Sequence, residues 1–153
     1  MIQSLEQDLA GLLRADQVST SASTLEQHGK GESYDEAVLP EVVLYPESTE
    51  EVQRIVKFAY EQGIAITPVA TNSSLEGHTV PLKGGISLDM TRLNEIVEYS
   101  PQDLLIRVQS AVTYPQINER TRRDGLFFPV DPGAHASLGG MVSTNASGTA
   151  AVR

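Results

Sequence analysis

The sequence predicts an α+β fold, and three observations carry the prediction. Two helices announce themselves by capping boxes, at Ser48-Thr49-Glu50-Glu51 and at Thr113-Tyr114-Pro115-Gln116. Short β-branched runs stand between and before them, bounded by Gly, Pro and Asp. Between the first helix and those later strands lies PVATNSSLEGH, residues 68–78, a stretch of small and polar residues with no helical or strand periodicity.

In chain order, Leu5, Leu9, Leu12 and Leu13 fall on one face of a short amphipathic helix over residues 4–14, with Arg14 at its end. Residues 17–37 read as a polar connection. The run from Val38 to Tyr45, interrupted by Pro40, predicts a strand whose ordered part starts at Glu41. Behind the Ser48 box, Val52, Ile55, Val56, Ala59 and Tyr60 recur at helical spacing until Gly63, which is placed to stop the helix. Residues 64–67 then form a strand that delivers the chain to the 68–78 loop, beyond which an apolar hairpin is expected.

Gly84 and Gly85 introduce a strand over 86–90, whose alternation predicts one buried face. Residues 94–99 and 104–109 predict two more strands joined by a turn at 100–103, so the middle of the chain reads as antiparallel. Pro115 suits the first turn of the second helix, Arg120, Arg122 and Arg123 suit its last, and Gly125 ends it. The stretch from Phe127 to Gly148 carries two clusters of Gly, Ser, Asn and Pro around Leu138 and Met141-Val142. A second approach of main chain to a ligand and a long surface loop explain it equally.

Composition narrows the function. The 153 residues suffice for a real core, and the net charge of −9 repels nucleic acid and anionic membrane surfaces. With no cysteine there is neither a disulfide nor a thiolate site. The N-terminus has no signal-peptide pattern and no run is apolar enough to span a bilayer, so a cytoplasmic protein is expected. His28, His78 and His135 lack metal-ligand spacing and read as polar loop residues. Ser73 and Ser74 show no base partner, so no catalytic residue and no metal site are assigned. The 68–78 loop has the make-up of a backbone nest for an anion, for which a dinucleotide pyrophosphate is the candidate. An ordinary surface connection has the same make-up.

Four stretches taken together carry a resemblance: EVVLYPESTEEV at 41–52, the 68–78 loop, GGISLD at 84–89, and DPGAHASLGGMVSTNASG at 131–148. In this order they are similar to the flavin-binding (PCMH-type) domain of the vanillyl-alcohol-oxidase-type FAD oxidoreductases. The nearest likeness is to the branch of D-lactate dehydrogenase and the glycolate oxidase FAD subunit. The resemblance covers about residues 27–153 and implies two small α+β subdomains with FAD between them. The pyrophosphate loop carried over by motif is Ala70, Thr71, Asn72, Ser73, Ser74, Leu75 and Glu76. A second cofactor-binding set is Pro132, Gly133, Ser137, Gly139, Gly140, Thr144, Asn145, Ala146, Ser147 and Gly148.

This chain departs from the family by having Ala70, Asn72 and Ala111 where glycine is usual. Asparagine tolerates left-handed backbone, whereas alanine there costs about 1–2 kcal/mol; restoring glycine at 70 and 72 is therefore expected to tighten FAD binding, chiefly through Ala70. The implied organisation is a leader of helix and polar connection over 1–37 and a FAD-binding domain over 38–153. Its second subdomain is incomplete at the C-terminus, and the family's substrate domain does not follow. The expected function is the N-terminal portion of a flavin-dependent oxidoreductase of a small 2-hydroxy acid, D-lactate or glycolate, inactive by itself. The alternative is a non-catalytic remnant or accessory domain with weak or no FAD binding. In either case a partner chain supplying the missing part is an expected associate.

Overall fold

The computed structural model describes residue 9, residues 11–32 and residues 36–148. The helix expected over 4–14 falls largely outside them, though Leu9 and Leu13 are buried and turn bonds run from the Leu12 and Leu13 amides to the Leu9 carbonyl. The chain divides into two units, Met1–Arg92 and Leu93–Arg153.

The first unit contains a four-stranded sheet. The polar connection expected over 17–37 instead holds strand β1 (Val18–Ser19) and helix α1 (Ala22–His28), capped by Ser21, whose hydroxyl accepts from the Thr24 amide. Strand β2 (Val42–Leu44) follows, and then helix α2 (Thr49–Gln62), with Ser48 accepting from the Glu51 amide at its start. Gly63, at φ 66°, stops α2 in the left-handed conformation that glycine adopts without strain. Strand β3 (Ile66–Val69) begins two residues later than expected because the Ile64 amide is still bonded to the Ala59 carbonyl of α2.

Strand β4 (Ile86–Asp89) lies between β2 and β3 and is parallel to both, while β1 pairs antiparallel with β2. The expected hairpin after the loop is therefore absent: β4 returns in parallel, and residues 75–84 are mostly a succession of turns. Nor does β4 have one wet face. All four of its residues are buried, as befits a central parallel strand covered on both sides. Ile86 and Leu88 join Leu9, Leu13, Val42, Leu44, Ile55 and Ala59 in the core, each large apolar side chain contributing about 1.5–3 kcal/mol. Ser87 and Asp89 alternate to the opposite face. Gly85, at φ 76°, has no room for a side chain, since a Cβ would come within 2.2 Å of the Ala65 carbonyl oxygen.

The leader is fastened to this sheet by polar groups. The buried Gln17 amide donates to the Tyr45 carbonyl at 3.1 Å and to the Glu51 carboxylate at 2.8 Å. Arg14 and Arg92 both bridge Asp16 and Glu47.

In the second unit, β5 (Ile96–Ser100) and β6 (Leu105–Val108) form the expected antiparallel pair. Helix α3 (Tyr114–Thr121) carries Pro115 in its first turn, and the Gln116 side chain accepts from the Thr113 amide at 2.7 Å. It tightens into a 3-10 turn at Arg122–Asp124 that ends at Gly125, φ 73°. The arginines form a solvated helix end: Arg122 pairs with Glu119, and Arg120 stacks its guanidinium 4.3 Å from the Tyr99 ring centre. Helix α4 (Leu138–Ser143) interrupts the stretch where a continuous loop was one expectation. Ser137 caps it by accepting from the Gly140 amide at 3.3 Å.

Candidate functional site

Strand β3 ends at Val69, and residues 70–76 leave the carboxyl end of the parallel sheet, the edge at which open α/β sheets hold ligands. Asn72 adopts φ 52°, the left-handed value expected of a nest, whereas Ala70 has an ordinary negative φ and stores no such strain. Among the described residues, the amides of Thr71, Asn72, Ser73 and Ser74 find no acceptor. Four successive open donors about one left-handed residue have the make-up of a backbone nest, and the hydroxyls of Thr71 and Ser73, 3.3 Å apart, lie in the same stretch. In a chain of net charge −9, such local donors have to supply what the overall field withholds.

Side chains hold this loop. Asn72 Nδ2 donates to the Lys30 carbonyl at 3.0 Å, and its Oδ1 accepts from the Thr79 hydroxyl at 2.5 Å. Ser74, expected to lack a base partner, has its Oγ 2.8 Å from His78 Nδ1, one turn further along the chain. No third group orients that histidine among the described residues, so the pair organises the loop without forming a nucleophile. Leu75 and Glu76 are exposed. A cavity of about 510 Å³ beside the loop is lined by Ser23, Gln27, Lys30, Glu32 and Asn72 among others.

His28 is not the polar loop residue that the sequence suggests. It closes α1 as a largely buried side chain, with Nδ1 2.9 Å from the Thr24 carbonyl and Nε2 2.8 Å from Asp89 Oδ2. Burial pushes its pKa down, but the bonds to Asp89 and to the Thr24 carbonyl outweigh this and raise it above its ordinary value. Burial pushes the Asp89 carboxyl up; the bonds from His28 and from the Thr91 hydroxyl and amide bring it below its ordinary value.

The second set of residues lies within the other unit and is differently built. Gly139 meets Ser110, whose carbonyl accepts from its amide at 2.8 Å and would stand 2.9 Å from an added Cβ. At Gly148 a Cβ would come within 2.4 Å of the Asp131 backbone. Ser137 is buried as the α4 cap, and Gly140 provides the amide that it bonds. The Thr144 hydroxyl donates back to the Gly140 carbonyl, and Asn145, at φ 51°, ends the helix with the Ala146 amide bonded to the Met141 carbonyl. Gly133, at φ 81°, donates its amide to the Asp131 carboxylate, and Pro132 and Ser147 are exposed. The glycines at 139 and 148 thus have a reason in the packing of the chain itself. Ala111 is buried next to the Ser110 hydroxyl, which has no partner among the described residues and which sequence reasoning passed over.

Among the described residues, no group of three or more His, Cys, Asp or Glu side chains is arranged to hold a metal ion, and no helix is long and apolar enough to cross a membrane.

Against this geometry, residues 40–153 match the model of a family described as a FAD binding domain. The chain is 40% identical over 136 residues to a probable mitochondrial D-lactate dehydrogenase of Danio rerio, covering 89% of this chain and 27% of that protein. It is 30% identical over 154 residues to a D-2-hydroxyglutarate dehydrogenase of Xanthomonas citri pv. viticola, covering 99% of this chain and 32% of that protein. The chain therefore spans about a quarter to a third of the length of these relatives. Among solved structures, alkyldihydroxyacetonephosphate synthase superposes with a TM-score of 0.86 at 23% identity, over 95% of this chain and 32% of that one. p-Cresol methylhydroxylase superposes with a TM-score of 0.71 at 23% identity, over 92% and 28%. These two establish the fold.

Proposed function

The chain belongs to the FAD binding domain family, and from that premise we propose that it is the flavin-binding portion of an oxidoreductase acting on a small 2-hydroxy acid, of which D-lactate and glycolate are the candidates. The observation that carries the reading is the run of open amides from Thr71 to Ser74 around the left-handed Asn72. It fits a pyrophosphate in number, polarity and position at the sheet edge. On this reading residues 70–76 would hold the pyrophosphate through their amides, and residues 132–148 are a second candidate set within their own unit. Bound FAD would supply the hydride-accepting chemistry that protein side chains lack. The remainder of the reading, substrate capture and proton removal in the whole protein, rests on the names of the relatives.

The test is reconstitution with FAD followed by desalting. A retained flavin with a shifted, structured absorption band is expected. A chain that is folded by circular dichroism yet retains no flavin overturns the reading in favour of a domain that keeps the fold without the cofactor. The internal use of Ser137, Thr144 and the glycines at 139 and 148 is the observation that favours that second reading.

A further inference from the structure

We infer that Asn72 is a positioning residue, whose side chain clasps the pyrophosphate loop to the exit of α1, so that the segment ahead of the family match takes part in cofactor binding. The inference rests on the assignment of residues 70–76 to the pyrophosphate. Glycine would reach φ 52° without strain, but it would leave the loop unattached. Asparagine reaches the same backbone and adds two bonds, from Nδ2 to the Lys30 carbonyl and to Oδ1 from the Thr79 hydroxyl. Both the carbonyl oxygen and one N–H of its amide are thus turned onto the chain. The side chain faces a partner 42 residues earlier and another 7 residues later, across the span of the loop.

The anchor is itself fixed. Lys30 follows Gly29, whose amide bonds the Glu26 carbonyl and whose carbonyl receives the Val38 amide. One residue before, His28 binds Asp89 on β4, and β4 is the neighbour of β3, from which the loop departs. The chain of contacts from β4 through His28, Lys30 and Asn72 to β3 closes on itself. A loop held in this way has its amides aligned before the anion arrives, so less ordering is left to be done on binding. None of residues 17–32 lies within the family match, which begins at residue 40.

Three variants test the clasp. Asn72→Gly keeps the left-handed backbone and removes both bonds. Asn72→Asp keeps an acceptor for Thr79 but loses the donor to Lys30, and Thr79→Val removes only the hydroxyl. Amide hydrogen exchange of the flavin-free chain is read at the bonded amides of Glu76 and Val80 on the loop and of Gly29 and Val38 beside the anchor, and FAD and riboflavin affinities are read from flavin fluorescence. For Asn72→Gly, faster exchange at both places and FAD binding weakened about tenfold are expected. Riboflavin, which has no phosphate, should bind as before. Thr79→Val should fall between it and the native chain, and Asn72→Asp, whose carboxylate also repels the phosphates, should exchange no faster than Asn72→Gly but bind FAD no more tightly than it. Unaltered exchange, FAD binding as tight as or tighter than in the native chain, or an equal loss for FAD and riboflavin would overturn the inference. A native chain that retains no FAD would refute the pyrophosphate assignment instead, while the exchange comparison would still decide whether the clasp exists.

Discussion

Residues 70–76 and residues 132–148 are both rich in small and polar residues, yet the chain uses the two stretches in opposite ways. In the first, side chains hold the loop and four backbone amides are left open. In the second, backbone and side-chain groups are turned inward: hydroxyls cap and close α4, and glycines let one segment lie on another. Small polar residues mark places where backbone comes close to something. Whether that something is a ligand or the rest of the chain is decided by where the unpaired donors are.

The contrast is broken most forcefully at Gly148 and Gly139. If these glycines serve packing, alanine at either should lower the stability of the flavin-free chain by about 1–3 kcal/mol, because the added methyl meets backbone that has little room to move. Denaturant titration of the apo variants checks this. A loss of FAD affinity with apo stability intact would mean that the second stretch is a ligand surface like the first.

A similar loss, about 1–3 kcal/mol, is expected in the first unit for His28→Ala, which leaves the Asp89 carboxylate buried without its main partner. The native pair also carries a pH signature. The folded pKa of His28 is raised, so its contribution is complete below the unfolded value of about 6.5 and is lost as pH rises through the folded value. The folded pKa of Asp89 is depressed, so its contribution is complete above about 3.9 and is lost as pH falls through the folded value. Tyr45, edge-on to the His28 ring, and Arg92 over Tyr45 complete the surroundings. Stability measured against pH should therefore show a term that is largest between those limits; in the His28→Ala chain its alkaline limb should vanish and its acid limb, still supported by the Thr91 bonds, should shrink. An identical profile for the two chains would remove the pair from the account.

The smallest effect is expected at Ala70. Since its φ is ordinary, Ala70→Gly relieves no backbone strain, which removes one of the two grounds for expecting tighter FAD binding and leaves only the closeness of its methyl group to the phosphates. The variant should lose about 0.4–1 kcal/mol through the freer unfolded chain and bind FAD within about twofold of the native chain. Much tighter binding by the glycine variant, seen by fluorescence titration, would show that the alanine methyl obstructs the phosphates.

The helices were legible where local chemistry alone decides. Ser48 and Thr113 each stand at the start of a helix that glycine-terminated turns close, at Gly63 and Gly125, and all of these signals are short-range. Helix α1 was not legible because it has 7 residues and none of them is buried, which leaves no periodicity to read. Helix α4 hid behind two glycines, and its stability comes from Ser137 and from contact with Ser110 and Val112, neither of which is near in sequence. The strand at 86–89 alternates in polarity, but a central parallel position overrode the rule that polar means wet. At the candidate site, the loop and its left-handed asparagine were readable from residue type. The His28–Asp89 pair, 61 residues apart, and the Lys30 carbonyl were not.

Strand β1 is two residues long, but it occupies the outer side of β2. A chain cut at residue 40, where the family match begins, would lose it together with Leu9, Leu13 and Gln17. Val42, Val43 and Leu44, all buried in the native fold, would then form an open, wholly apolar sheet margin with unpaired amides and carbonyls. Such a margin templates cross-chain pairing, so the trimmed protein should aggregate more readily than the longer one. The family match begins at residue 40, but the sheet it contains is closed by residues that come before it.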